Sequence, residues 1–256
     1  MKILITGANG YIGSSLNSYL SQKHDVTTIT RKDFDLRNQR AVTKWFRDKS
    51  FDVVIHTAIS GGSRLHKDDM NIVSENIMMY QNLFINKHRY SKFINLGSGA
   101  ELYARNTPYG FSKHLIRESV LSNDNFYNVR IFALFDENEL DTRFVKSNII
   151  RYINREKIII HKNKLMDFFH MKDFVSLIDY YISNDNPQKE VNCSYEKKYS
   201  LLDIASMINN LSDYDVPIEI QEEGMGDSYI GEFNLPINTH WLENGIRDMY
   251  LNFKGN

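Results

Sequence analysis

The chain has 256 residues, 42% of them hydrophobic, which is enough apolar material to bury a full core. Its 31 basic and 32 acidic residues nearly cancel, so the overall charge argues against nucleic acid or a membrane surface as a partner. A single cysteine excludes an internal disulfide, and no stretch approaches the ~18 consecutive apolar residues of a membrane span, so we expect a cytoplasmic protein. No Cys/His cluster has the spacing of a zinc site, so we expect no bound metal.

Short apolar runs alternate with amphipathic segments through the first half of the chain, the order that parallel strands joined by crossover helices require. The predicted strands are 2–6, 25–30, 52–57, 92–96 and 128–132. The predicted helices are 11–22, 39–48, 74–88 and 109–122. The right-handed crossover rule then gives an α/β fold with a Rossmann-type, doubly wound parallel sheet that has helices on both faces.

The pattern loosens beyond residue 135. We predict helices at 143–155, 174–183, 201–210 and 239–250, and a strand at 157–161. The expected domains are a dinucleotide-binding domain of residues 1–135 with parts of 157–185, and a small substrate-binding lobe of residues 136–156 and 186–256.

A glycine-rich loop follows the first strand and opens the first helix, with the sequence Gly7-Ala8-Asn9-Gly10-Tyr11-Ile12-Gly13. In this context the first glycine makes the turn, the second admits a diphosphate, and the third allows close packing of helix and strand. The alternative is a set of glycines that serves only a tight turn. The predicted cofactor contacts of this loop are Gly7, Asn9, Gly10, Tyr11, Ile12 and Gly13.

The residue at the end of the second strand indicates whether a protein of this fold binds NAD(H) or NADP(H). A carboxylate there binds the ribose 2′-hydroxyl of NAD(H), whereas an arginine accommodates the 2′-phosphate of NADP(H). Arg31 follows this strand and favours NADP(H). Asp33 and Asp35 are close enough in sequence to keep NAD as the alternative, in which Arg31 is an ordinary solvated charge.

Tyr109 and Lys113 lie four residues apart at the start of a predicted helix, so both side chains share one helical face. A phenol with a pKa of about 10 is a weak acid or base at neutral pH, but a neighbouring ammonium favours the phenolate. We therefore predict that Tyr109 can exchange a proton near neutral pH.

The glycine loop followed by this pair resembles the extended short-chain dehydrogenase/reductases, the NAD-dependent epimerase/dehydratase family, over most of the chain. The resemblance implies that hydride moves to or from the nicotinamide and that Lys113 also holds the nicotinamide ribose. It implies further cofactor contacts with the adenine by Asp35 and Leu36, and in the loop after the third strand by Thr57, Ala58 and Ile59. The short spacing before Asp35 resembles that of the reductases that make GDP-fucose and dTDP-rhamnose.

The chain departs from this family in the loop before Tyr109. Relatives usually carry Ser or Thr where this chain has Gly99, so we assign the nearest hydroxyl, Ser98, to orient the substrate oxygen. A serine that only caps the strand end is the alternative. The acid of the sugar-nucleotide dehydratases is replaced by Ala100, and the epimerising cysteine by Glu101, which disfavours both of those reactions.

We therefore predict an NADPH-dependent reductase of a nucleotide-linked 4-keto-6-deoxy sugar, with Tyr109 as the proton donor. The first alternative is a 4-epimerase that holds NAD, and the second is a non-catalytic dinucleotide-binding sensor. In relatives, the helices after the third and fourth strands often pair in a dimer. Four apolar residues are therefore predicted either to form a homodimer contact or to pack against the sheet, namely Ile77, Met78, Leu83 and Leu115.

Overall fold

The computed structural model describes residues 1–63 and 67–254, which form two compact units. The first unit contains Met1–Arg130 and Asp179–Val191. The second contains Ile131–Ile178 and the described chain from Asn192 onward. The chain therefore leaves the first unit after Arg130 and returns to it once.

Strands and helices alternate through the first 130 residues. The strands are β1 (Lys2–Thr6), β2 (Asp25–Ile29), β3 (Phe51–His56), β4 (Tyr90–Ser98) and β5 (Phe126–Ile131). The helices are α1 (Tyr11–Leu20), α2 (Gln39–Phe46), α3 (Asn71–Ile85), α4 (Ala100–Tyr103) and α5 (Pro108–Leu121). A short 3₁₀ helix, Lys87–Arg89, leads into β4.

The remaining chain continues in mixed order. Its strands are β6 (Leu134–Phe135), β7 (Ile158–Asn163), β8 (Phe169–His170), β9 (Glu190–Cys193) and β10 (Ile218–Met225). Its helices are α6 (Phe144–Ile153), α7 (Met171–Ser183), α8 (Leu201–Asn209) and α9 (Leu242–Lys254). No helix within residues 1–63 and 67–254 combines the length and the apolar character that crossing a membrane requires.

The main sheet has six strands in the order β2-β1-β3-β4-β5-β9. β1 pairs in parallel with β2 and β3, and β3 pairs in parallel with β4. Ile3, Leu4 and Ile5 of β1 are fully buried, as expected for a central parallel strand whose two faces are both covered. The predicted Rossmann-type α/β fold is confirmed.

The start of α5 is fixed by its sequence. The Thr107 hydroxyl caps the helix by accepting a hydrogen bond from Gly110 N at 3.1 Å, and Pro108 occupies the first turn, where a missing N–H costs nothing. Gly110 packs so closely that a Cβ there would lie 2.0 Å from Ala104 O. These contacts set the position of Tyr109 and Lys113.

An aromatic core supports the sheet beside α3 and α5. Phe93 of β4 stacks on Phe126 of β5 with ring centroids 4.7 Å apart. Leu83 is fully buried in this core, so it packs inside its own subunit rather than in a homodimer contact. Met78 and Leu115 differ, since they are 39% and 38% exposed.

Two small parallel strand pairs, β7 with β10 and β6 with β8, form within the second unit. β9, β10 and α4 were not predicted from the sequence. β9 and α4 are only four residues long, which is too short for a periodic pattern of apolar residues to be recognised. Six of the eight residues of β10 are exposed, so this strand lacks such a pattern as well.

Candidate active site

The glycine loop packs against the ends of β1 and β3. Gly7 has a left-handed backbone with φ of 69°, and a Cβ there would lie 2.7 Å from Ala58 Cα. A Cβ on Gly13 would lie 2.5 Å from Gly7 O. Both positions therefore require glycine because of the protein's own backbone.

Gly10 differs from its two neighbours in the loop. Its φ of −78° is ordinary, and the nearest atom to a Cβ placed there is Gly7 O at 3.4 Å. The protein itself leaves room for a side chain at this position, at the N-terminus of α1, which favours an anion. This geometry fits a loop that admits the diphosphate of a dinucleotide, and it weakens the alternative in which all three glycines serve only the turn.

A cavity of ≈ 290 Å³ lies within the first unit, at the ends of β1, β2 and β3. Most of the predicted cofactor residues line it, namely Gly7, Asn9, Gly10, Arg31, Asp35, Leu36, Thr57, Ala58 and Ile59. The lining does not include five other predicted cofactor residues, namely Tyr11, Ile12, Gly13, Tyr109 and Lys113. Five further lining residues were not predicted from the sequence, namely Ile29, Thr30, Phe34, Arg37 and Met79.

The carboxylates after β2 have different environments. Asp33 accepts hydrogen bonds from Thr30 N at 2.8 Å and from Thr30 Oγ1 at 2.9 Å, and these bonds lower the pKa of Asp33. Asp33 thus closes a turn and is not a lining residue of the cavity, whereas Asp35 and Arg31 both line it. Of these two carboxylates, only Asp35 is placed to contact a ligand in the cavity.

Tyr109 and Lys113 lie one turn apart on α5, as predicted. Lys113 Nζ lies 5.9 Å from the centre of the Tyr109 ring and donates a hydrogen bond to Leu96 O at 2.6 Å. Burial lowers the pKa of Lys113 to about 8, although the nearby carboxylate of Glu101 acts in the opposite direction. Burial, with a further contribution from Lys113, lowers the pKa of His56 to about 3, so this neighbouring imidazole is neutral at pH 7. Lys113 is therefore the cation at this site.

The segment after β3 reaches the ring of Tyr109. A Cβ on Gly62 would lie 2.8 Å from both Cε2 and Cζ of Tyr109, so the glycine backbone packs directly against the phenol. Gly62 has φ of 74° and donates its N–H to the Asp68 carboxylate. Tyr109 is half-buried and lies beside Gly62, whose left-handed backbone favours glycine.

Ser98 ends β4 and is buried. Its hydroxyl oxygen accepts a hydrogen bond from Ala100 N at 3.2 Å, a local contact of the type that the capping alternative describes. A hydroxyl that accepts one bond still carries a proton to donate, so this contact is compatible with a role in orienting a substrate oxygen.

Glu101 points into the protein interior. It is fully buried, accepts hydrogen bonds from Ser98 N at 2.9 Å and Asn128 Nδ2 at 3.1 Å, and pairs with Arg130 Nε at 3.0 Å. Burial raises the pKa of Glu101, while the Arg130 guanidinium opposes that shift. Its carboxyl group is engaged on the inner side of the loop between β4 and α5.

Glu190 extends this buried network. Burial alone would raise the pKa of Glu190, but hydrogen bonds from Arg117 and Arg130 lower it to about 2. Arg117 Nε lies 2.5 Å from Glu190 Oε1, and Arg130 pairs with the same carboxylate. Two carboxylates and two guanidinium groups thus hold the end of β4 against β5 and β9.

A family model described as "NAD dependent epimerase/dehydratase family" matches residues 3–194. "GDP-L-colitose synthase" of Yersinia pseudotuberculosis is 27% identical over 161 residues, which cover 61% of this chain and 48% of that protein. "CDP-abequose synthase" of the same organism is 21% identical over 85% of this chain and 87% of that protein. The chain therefore aligns with about half the length of the first of these relatives.

Solved structures share the fold at low identity. A GDP-mannoheptose C4 reductase from Campylobacter jejuni, with NADP bound, has a TM-score of 0.76 at 18% identity and covers 99% of this chain and 98% of its own. A UDP-glucose 4-epimerase from Thermotoga maritima has a TM-score of 0.79 at 14% identity and covers 100% and 99%. The predicted resemblance to the extended short-chain dehydrogenase/reductases is confirmed.

Proposed function

Because the chain belongs to the NAD dependent epimerase/dehydratase family, we propose that it is an NADPH-dependent reductase of a nucleotide-linked 4-keto-6-deoxy sugar. When bound, the nicotinamide supplies a hydride to the carbonyl carbon. The Tyr109 hydroxyl gives its proton to the ketone oxygen, and the Lys113 ammonium stabilises the phenolate that remains. Ser98 donates a hydrogen bond that orients the ketone.

The buried state of Glu101 supports a reaction at the ketone carbon alone, and the use of NADPH is what distinguishes reduction from 4-epimerisation. Dehydration, or epimerisation beside the ketone, needs a second acid or base facing the sugar in addition to Tyr109. The loop between β4 and α5 offers Gly99 and Ala100 at the relevant positions, and its one carboxylate is held inward by Arg130. Addition of hydride and one proton at a single carbon needs only the Tyr109 and Lys113 pair.

The choice of NADPH is supported by the residues that follow β2. Arg31 lines the cavity, while Asp33 is used by the Thr30 turn. A guanidinium in this position accommodates the 2′-phosphate that distinguishes NADPH from NADH.

The choice of a nucleotide-linked sugar is supported by the relatives. "GDP-L-colitose synthase", "CDP-abequose synthase" and "GDP-L-fucose synthase" are each named for a sugar attached to a nucleotide. These names include two different bases, so a test of this chain needs more than one nucleotide.

The test is turnover of a panel of 4-keto-6-deoxy sugars linked to GDP, CDP and dTDP, followed by loss of NADPH absorbance. We expect the wild-type protein to reduce one member of the panel. The Tyr109→Phe variant should reduce the same compound at least 100-fold more slowly than the wild type, since the phenol hydroxyl supplies the proton. The exposed Tyr103→Phe is the matched control and should keep the wild-type rate. Failure of the whole panel with NADPH, or NAD released from the purified protein together with epimerised product, would contradict the reductase and favour the 4-epimerase.

A further inference from the structure

The inward carboxylate of Glu101 transfers no proton in the proposed reduction, but it is bonded to the residue that orients the ketone. We propose that Glu101 is a positioning residue, whose carboxylate fixes the turn of residues 98–101 so that the Ser98 hydroxyl meets the ketone oxygen. The inference rests on the proposed function, since the orienting role of Ser98 is part of it.

One carboxylate oxygen of Glu101 packs against the end of β4. Oε1 accepts a hydrogen bond from Ser98 N at 2.9 Å, and a Cβ on Gly97 would lie 2.6 Å from the same oxygen. A side chain at position 97 would therefore displace the carboxylate. Ser98 is buried, so its N–H needs a partner inside the protein, and Glu101 supplies it.

The same turn also holds the side chain of Ser98. Ala100 N donates a hydrogen bond to Ser98 Oγ at 3.2 Å, and Glu101 directly follows Ala100 in the chain. The turn thus binds Ser98 through both its N–H and its hydroxyl oxygen. A shift of Glu101 would therefore move the hydroxyl.

The other carboxylate oxygen ties this turn to β5. Glu101 Oε2 accepts hydrogen bonds from Asn128 Nδ2 at 3.1 Å and from Arg130 Nε at 3.0 Å. A hydrogen bond between a guanidinium and a carboxylate is strong, and here both side chains are almost fully buried. The position of Ser98 is therefore set by a strand of the main sheet and not by the turn alone.

The end of β4 is held at a second point by the catalytic lysine itself. Lys113 Nζ donates a hydrogen bond to Leu96 O at 2.6 Å, so the strand is fixed at Leu96 relative to α5. The N–H of Ser98, two residues further on, depends on Glu101. Because a misplacement of about 1 Å can lower a rate about 100-fold, a small shift of Ser98 is enough to affect turnover.

Removal of the carboxylate should therefore slow the reaction without weakening the cofactor. In Glu101→Ala we expect kcat for the ketone to fall about tenfold or more. The Kd for NADPH should stay within about twofold, because residues 98–101 do not line the cofactor cavity.

The matched control for stability is Leu83→Ala. It empties a fully buried site in the aromatic core, so it should lower the melting temperature about as much as Glu101→Ala while keeping the wild-type kcat. An equal loss of kcat in Leu83→Ala would show that reduced stability alone slows the enzyme, and would overturn the positioning role.

Glu101→Asp provides a second variant that keeps the buried charge. Its side chain is one methylene shorter, so a carboxylate that stays beside Arg130 no longer reaches the N–H of Ser98. We expect a loss of kcat similar to that of Glu101→Ala, with a smaller fall in melting temperature. Wild-type turnover in either variant would overturn the inference and leave Glu101 only as the ion partner of Arg130.

A double-mutant cycle tests whether Glu101 acts through Ser98. Ser98→Ala should lower kcat about tenfold, and Glu101→Asp added to it should lower kcat by less than about threefold more, because the hydroxyl that Glu101 positions is already absent. A further tenfold loss in the double variant would show that Glu101 acts independently of Ser98, and would overturn the inference.

The wild-type and Ser98→Ala proteins separate this inference from the proposed function. A wild-type protein that reduces no 4-keto sugar nucleotide with NADPH contradicts the proposed function and, with it, the role of Glu101. A wild-type protein that reduces one of them, together with Ser98→Ala at the same rate, overturns the role of Glu101 and leaves the reductase in place.

Discussion

Gly10 and Gly13 belong to one loop, but they are glycine for different physical reasons. A Cβ on Gly13 would meet Gly7 O at 2.5 Å, whereas a Cβ on Gly10 meets its nearest atom at 3.4 Å. We expect Gly13→Ala to lower the melting temperature by about 4 °C or more. Gly10→Ala should keep the wild-type melting temperature and weaken NADPH binding about tenfold, because the new methyl group occupies space needed by the diphosphate.

Thermal unfolding and fluorescence titration of the two variants check this pair of outcomes. A Gly10→Ala variant that binds NADPH as tightly as the wild type would show that the second glycine serves only the turn.

Lys113 predicts the pH dependence of reduction. Its pKa is lowered by burial to about 8, so the ammonium that supports Tyr109 is present below this pH and is lost above it. We expect kcat/KM for ketone reduction to fall as the pH rises through about 8, since the neutral amine cannot stabilise the phenolate.

A pH profile of kcat/KM measures this directly. Lys113→Arg supplies the control, because a guanidinium keeps its charge and any remaining activity should lack the fall near pH 8. A wild-type rate that stays level up to pH 10 would contradict the role given to the lysine.

At the scale of single residues, the sequence predicts the placement of side chains that depends on local spacing. It does not predict placement that depends on partners distant in the sequence. The four-residue interval of Tyr109 and Lys113 was visible because one helix carries both side chains. The inward orientation of Glu101 was not, because its ion partner, Arg130, lies 29 positions further along the chain. The place of Arg37 in the cavity lining could have been predicted, because it directly follows Asp35-Leu36 in the sequence. Its contact with Glu75 could not, because that contact depends on the fold.

The connection between β4 and α5 depends on the buried pair of Glu101 and Arg130. The Arg130 side chain is only 4% exposed, so removal of its partner leaves a buried cation with less compensation. We expect Glu101→Ala to lower the free energy of unfolding by about 3 kcal/mol, a value at the low end for a broken buried pair because Glu190 still contacts Arg130.

Chemical denaturation measures that loss. Glu196→Ala is the matched control, since Glu196 is an exposed glutamate outside this network and its loss should change stability by less than about 0.5 kcal/mol. A Glu101→Ala variant as stable as the wild type would show that the buried pair does not hold this connection.

Elements with a clear apolar period were predicted within a few residues of their ends. β1 was predicted at its full observed length, and α5 begins one residue earlier than expected because Pro108 occupies its first turn. α4 and β9 fell below the length at which a period is visible. β10 is largely exposed and pairs with β7, so tertiary pairing rather than apolar alternation creates it.

At the scale of the whole chain, the order of strands and helices was enough to predict the α/β class. A return of later residues to the first domain was predicted within 157–185, and the structure has one at Asp179–Val191, but strand β9 was not predicted. That return places a sixth strand at the edge of the main sheet, beside β5. A short strand that pairs with residues about 60 positions earlier leaves no local pattern. The division into a cofactor domain and a substrate lobe stays a proposal of the sequence analysis.

The most direct test of the proposed reduction follows the hydrogen that is transferred. The protein would be incubated with NADPH deuterated at the transferred position of the nicotinamide, together with the 4-keto sugar nucleotide that shows the fastest turnover. We predict one deuterium on carbon 4 of the product sugar for each NADP⁺ formed. A product without deuterium, or one formed without net oxidation of NADPH, would contradict the reductase.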